Sequence, residues 1–180
     1  RLMIGKVHNL LLTATVFLLS LSVLSAQPKA VGAEFSANGL GLSYEHRVES
    51  DNFISLHLWM ESDDYIWLRA DHPGASLSLS WNMVFAEKTS PYGNRISFFA
   101  GPGIMAGYVT DFRNTPGAAF GLKGRIGVEC RFKRSVTLSA SLSPIIGCHI
   151  TSSGENIKML LYKSGLLQTV IPEIGLKYAF

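Results

Sequence analysis

Three sets of residues in this chain have types and spacings suited to chemistry. The densest is His149, Thr151, Ser152, Ser153 and Glu155, which puts a base, hydroxyls and a carboxylate in one short stretch. A histidine beside a hydroxyl activates it as a nucleophile when a third group orients the base. The stretch is rich in small polar residues, however, and reads more simply as a solvated loop. The second set is Cys130 and Cys148, which an oxidising compartment would let pair. The third is a series of charges at alternate positions of their segments: Glu34, Glu45, Arg47, Glu61, Lys123, Arg125, Glu129, Arg131, Glu173 and Lys177. His46, His57 and His72 fall on separate segments, and no spacing suits a metal ion. Catalytic residues, cofactor and metal are all read as none.

The elements that carry these residues are unusual for a water-soluble domain. Of 180 residues, 47% are hydrophobic and only 16% charged, with a mean hydropathy of +0.23. Soluble domains carry nearer a quarter charged residues. One stretch alone has the look of a helix in a membrane. Arg1, Lys6 and His8 precede an uncharged run from Leu10 to Leu24 that ends in Leu24-Ser25-Ala26. A basic start, an apolar core of about 15 residues and a small residue at the end describe a secretory signal peptide, 1–26. No Cys follows Ala26, which argues against a lipoprotein. The mature domain is then 27–180, with 14 Lys and Arg against 13 Asp and Glu, and no charge excess that would recruit nucleic acid.

Within 27–180 the apolar residues recur with period two, in blocks of about ten residues parted by turn residues. Ala75, Leu77, Leu79, Trp81, Met83 and Phe85 alternate with Ser76, Ser78, Ser80, Asn82 and Val84. Phe120, Leu122, Ile126, Val128, Cys130 and Phe132 alternate with Gly121, Lys123, Arg125, Gly127, Glu129 and Arg131. The phase shifts at Asn38-Gly39, where a type I′ hairpin or a bulge would both account for it. A hairpin there sets Ala37 opposite Leu40, Phe35 opposite Leu42 and Ala33 opposite Tyr44. Eight strands follow, over 29–37, 40–48, 53–62, 74–87, 95–109, 118–132, 136–148 and 168–180. Tight connections at 49–52, 88–94 and 133–135 then share one end, opposite longer ones at 63–73, 110–117 and 149–167. A bulge would give seven strands. The expected class is all-β: an antiparallel, up-and-down transmembrane barrel of about eight strands.

Period two does not say which way the apolar face points. The opposite face carries Ser, Gly and a few charges rather than dense Lys and Glu, and the strands suit the roughly 9–11 tilted residues that cross a bilayer. The apolar face is therefore expected to meet lipid. The chain ends in alternating apolar residues with Tyr178 and Phe180, which resembles the C-terminal assembly signal of outer-membrane barrels. In size and strand pattern the chain resembles the small eight-stranded group of OmpX and the OmpA barrel. It is also similar to Bacteroidota outer-membrane barrel domains in Gly41-Leu42-Ser43-Tyr44-Glu45. The resemblance implies outer-membrane lipid and the barrel-assembly machinery as partners.

Eight strands leave room only for side chains inside. The ten alternating charges, five acids and five bases, are accordingly expected to pair as an ion network that fills the lumen and closes it to free diffusion. Cys130 falls opposite about Leu138, which leaves Cys148 too far along the strand for a disulfide. The segments 63–73 and 149–167 are the candidate surface-ligand loops, and Tyr44, Trp81, Tyr108 and Tyr178 suit an interfacial aromatic girdle. A structural or surface-interaction role without catalysis follows. Its rivals are a lipid A deacylase, whose His-x-Ser pattern becomes His149-Ile150-Thr151 here, and a secreted soluble barrel with an apolar ligand.

Overall fold

The computed structural model describes residues 28–61, 74–111, 115–132, 135–153, 156–167 and 170–180. The signal segment 1–26 and the connection 63–73 lie outside them. Period-two alternation becomes strand throughout: β1 (Lys29–Ser36), β2 (Gly39–Arg47), β3 (Asn52–Glu61), β4 (Gly74–Thr89), β5 (Arg95–Asp111) and β6 (Thr115–Phe132). After these come β7 (Val136–Leu142), β8 (Ile145–Ser153), β9 (Asn156–Leu161), a short helix α1 (Lys163–Leu167) and β10 (Glu173–Ala179). Every pairing is antiparallel, and β5–β6 together with β1–β10 closes the sheet into a ring. β7 and β8 pair with β6 in one continuous register, Leu138 opposite Cys130 and Cys148 opposite Phe120, so they form a single stave. The result is a closed eight-stranded antiparallel barrel. Phe180 donates its N–H to the Lys29 carbonyl at 2.9 Å, which fastens the closing seam.

The phase shift at residues 37–39 is a hairpin, not a bulge, but its turn lies one residue earlier than expected. Ala37 and Asn38 form the turn, and Ser36 faces Gly39. Phe35 therefore opposes Leu40, and Ala33 opposes Leu42. The two-residue slip keeps the apolar faces matched, which is why alternation could not reveal it. Gly39 does not take a positive φ; among the described glycines only Gly93 does. Its value is flatness. Trp59, on the adjacent β3, lies over Gly39 and Gly41, and a Cβ on Gly41 would collide with the indole ring.

The turns at residues 48–51 and 90–94, with the end of β6 and the start of β7, mark one end of the barrel, here the lower rim. Two of the long upper connections expected from sequence do not exist as loops. The stretch 110–117 shrinks to 112–114 because β5 and β6 pair as far as Asp111 and Thr115. Pro116 sits near the strand end, where a missing N–H is tolerated. The stretch 149–167 is likewise structured. β8 runs on to Ser153, turns, and returns as β9 before α1. Leu161 lies opposite Cys148 and Glu173 opposite Ser141. Eleven residues of the eighth stave thus span what six of its neighbour cover. At the start of this surplus Tyr162 is buried inside the barrel, and α1 follows it.

The distribution of polarity is inverted relative to a soluble domain. Leu122 is 70% exposed and Leu42 63%, whereas Ser80 is 1% exposed and Lys177 2%. Small residues inside leave room for the few large ones. A Cβ on Gly127 would meet Phe99 Cζ at 2.7 Å. The same steric logic makes Gly41→Val a sensitive probe of the Trp59 contact. Overpacking of this kind costs about 1–3 kcal/mol. Urea unfolding should show that loss in the native background and a much smaller one in a Trp59→Ala background.

A charge-paired interior as the candidate functional site

Inward-facing residues stack in layers from the lower rim to the upper. The lowest layer is basic and aromatic. Arg47 on β2 and Arg95 and Arg131 on β5 and β6 face inward, and just above them Phe53 and Phe99 meet edge to face with centroids 5.3 Å apart. The guanidinium of Arg47 lies over Phe53 at 5.5 Å and that of Arg125 over Phe99 at 5.2 Å, so both rings carry cations on their faces.

The middle layer is an ionic knot. Arg125 reaches across the lumen to Glu34 at 3.0 Å and approaches Glu45 at 3.6 Å. Lys177 binds Glu45 and Glu129, the latter at 2.8 Å. Arg47 joins Glu129 at 3.5 Å, and Lys123 lies 3.9 Å from Glu173. Four cations thus face four carboxylates on β1, β2, β6 and β10. Serines and an asparagine complete the coordination. Ser55 accepts from both Asn82 (2.9 Å) and Arg125 (3.3 Å), and Ser143 donates to Glu173 at 2.8 Å. His57 donates from Nδ1 to Glu34 at 2.7 Å.

The upper layer is a small apolar core made by the inward excursion of the eighth stave. Tyr162, Met105, Val109, Ala119 and Ile145 pack together, all buried. Tyr162 donates to Glu61 at 3.1 Å, and its ring stacks on His149 with centroids 6.2 Å apart. Asp111 caps α1, accepting from the Ser164 N–H and hydroxyl at 2.9 Å each. The lumen is therefore occupied along its length.

Nine of the ten charges singled out from sequence enter this interior with a described polar partner. Arg131 differs: among the described residues no carboxylate pairs with it, and its Nε lacks a hydrogen-bond partner. Tyr178 and Phe180 stand on the outer surface beside the closing seam. The His149 cluster is dispersed. His149 is buried inside β8, donating from Nε2 to the Val109 carbonyl at 3.2 Å. Thr151 bonds the Pro116 carbonyl, and Glu155 lies outside the described residues. The cysteines are free, and Cys130 faces Leu138. Among the described residues no three His, Cys, Asp or Glu converge on a metal position.

Alternation alone did not find Phe53, Phe99 or Tyr162, whereas it set His57 on the inward face of its strand with Trp59 and Glu61, where it is buried. Phe53 shares the phase of Ser55 and His57, a usable signal. Phe98-Phe99 gives none, because adjacent rings point to opposite faces. Tyr162 is beyond any periodic reading, since it leaves the sheet.

The fold and interior define a small closed barrel with a filled, polar lumen and an apolar exterior. No protein-family model and no curated protein matches the sequence. Solved structures are similar in fold. A major outer membrane protein from Thermus thermophilus is similar over 87% of this chain and all of its own, with 13% identity and a TM-score of 0.45. Neisserial surface protein A is similar over 85% of this chain and 91% of its own, with 14% identity and a TM-score of 0.39.

Breaking the knot at its most connected cation tests its energetics. Arg125→Met takes its nearest cation from Glu34, which keeps His57, and a second cation from Glu45, which keeps Lys177; removing one partner of a buried pair costs about 3–5 kcal/mol. Urea titration should show that loss, and Glu34→Gln in the same background should recover part of it.

Proposed function

We propose that this protein is a small integral outer-membrane β-barrel with a structural or surface-interaction role and no catalysis. One observation carries the reading: the apolar residues face outward on every stave while buried, paired charges fill the inside. In water such an exterior would be a continuous aggregation surface. In a bilayer it is the correct solvent match, and closure leaves no unpaired edge in the spanning ring. Trp81, Phe85, Phe132, Tyr178 and Phe180 all stand exposed on the outer face, where an aromatic girdle would meet lipid headgroups.

The partners in this reading are outer-membrane lipid, the barrel-assembly machinery acting through Tyr178 and Phe180, and a surface ligand at 63–73 or at the β8–β9 hairpin. The secretory segment 1–26 provides export. The position of His149 supports the absence of catalysis, because a deacylase needs its base on the lipid face. The ionic interior speaks against an apolar ligand within a soluble barrel.

Placement in lipid has a quantitative signature at Leu122. An Arg at the bilayer midplane costs about 2–4 kcal/mol in a transmembrane barrel. An exposed position of a soluble protein changes by only about 0.5 kcal/mol. Leu122→Arg unfolded by urea in phospholipid vesicles should show the larger loss. The native protein should also fractionate with the outer membrane and shift on SDS gels when boiled. Recovery in the soluble fraction with a neutral Leu122→Arg would overturn the proposal. His149→Ala should leave the lipid A profile unchanged; an altered profile would restore the enzyme.

A further inference from the structure

The lower mouth of the barrel holds a charge imbalance that the knot above it does not. Arg47, Arg95 and Arg131 converge on a cavity of about 310 Å³ that Pro28, Ser50 and Glu49 complete. Arg95 and Arg131 are direct cross-strand partners on β5 and β6, an arrangement in which like charges repel. Arg47 is engaged by Glu129 at 3.5 Å, and Arg95 by Glu87. Glu49 is exposed and turned to the Asn52 amide at 3.1 Å. Arg131 has no such carboxylate among the described residues. The Nε atoms of Arg95 and Arg131 are both buried without a hydrogen-bond partner there.

We propose that this mouth is a binding site for a singly charged phosphate group, either a phosphodiester headgroup or the free phosphate monoanion. The pairing selects one negative unit: among the described residues Arg131 alone of the three arginines has no ion pair, and the exposed Glu49 forms none with it. The geometry selects phosphate. Guanidinium forks bind its oxygens in bidentate pairs, and here the forks come from three strands rather than one plane. The cavity sits at the lower limit of small-molecule sites, which begin at about 300 Å³, so it takes a headgroup but not a nucleotide. The site stands on the barrel fold and not on its placement in a membrane, so its failure would leave the function proposed above untouched.

The test uses the folded barrel in non-ionic detergent, with thermal unfolding followed at constant ionic strength. Sodium phosphate, sn-glycero-3-phosphoglycerol and sodium acetate are the probes. A ligand held by the native state alone raises the midpoint with its concentration. The expected result is a saturable rise with one or both phosphate probes and none with acetate. A rise with the glycerol diester alone identifies a lipid headgroup, and one with inorganic phosphate alone identifies the free ion. Arg131→Gln should weaken the response about tenfold, the loss of one charge-assisted contact. Without phosphate it should unfold no lower than the native protein, because it relieves the repulsion with Arg95; a merely structural arginine would lower it. Arg95→Gln should weaken the response in the same way and serves if the first variant fails to fold. Equal responses to acetate and phosphate, no response to either phosphate probe, or an Arg131→Gln response equal to the native one would each overturn the site.

Discussion

The constraint on which the rest of this structure depends is that an ion sealed inside an eight-stave barrel must find its counter-ion there. Water that would solvate it is excluded, and the apolar outer face offers nothing. Arg125 is wholly buried and Glu34 nearly so, and they meet at 3.0 Å. Around that contact the other cations and carboxylates are placed so that strands distant in sequence share charges. Lys177 on β10 touches carboxylates from β1, β2 and β6. The knot therefore does for this barrel what an apolar core does for a soluble one. It ties opposite walls together, and it does so with directional contacts that fix the register of the closing strands.

The upper half obeys a different rule. There the interior is apolar, built from Met105, Val109, Ala119 and Ile145 around Tyr162. The change coincides with the point where the eighth stave leaves the wall. A strand that departs from a sheet leaves backbone groups to satisfy, and burying them beside charges would be costly. The excursion instead brings its own partners. Asp111 takes the first N–H groups of α1, and Tyr162 reaches Glu61 on the facing wall. The two halves are complementary: one is locked by ions, the other by a packed insert capped from the neighbouring strands.

Legibility in the sequence followed the same division. Wherever the chain stays in the sheet, period two exposed both the strands and the inward face, because each residue's side is fixed by parity. Arg125, Glu129 and Lys177 could be placed inside from spacing alone. What parity cannot carry is register. The hairpin slipped by two without altering either face, and Gly39 proved to matter for its contact with Trp59 rather than its φ. Connections were misjudged for a related reason. The polar run His149–Ser153 looked like a loop because inward-facing strand residues are polar here, as loop residues are elsewhere. Tyr162 and α1 were out of reach altogether, since no periodic pattern announces where a strand turns inside.

The inverted polarity also decides which side chains a substrate could reach. A buried His is available to a reaction only if a substrate can reach its free nitrogen. His149 spends Nε2 on the Val109 carbonyl and has the Tyr162 ring stacked on its face. His57 spends Nδ1 on Glu34 within the knot. Both are held by the groups that fill the lumen, and exposing either would require dismantling a layer that stabilises the barrel. At the lower mouth the opposite holds. Among the described residues Arg131 holds no ion pair, so a ligand that engaged it would break none. Reactive or recognising groups in a filled barrel belong at its ends, where losing them to a ligand does not unpick the interior.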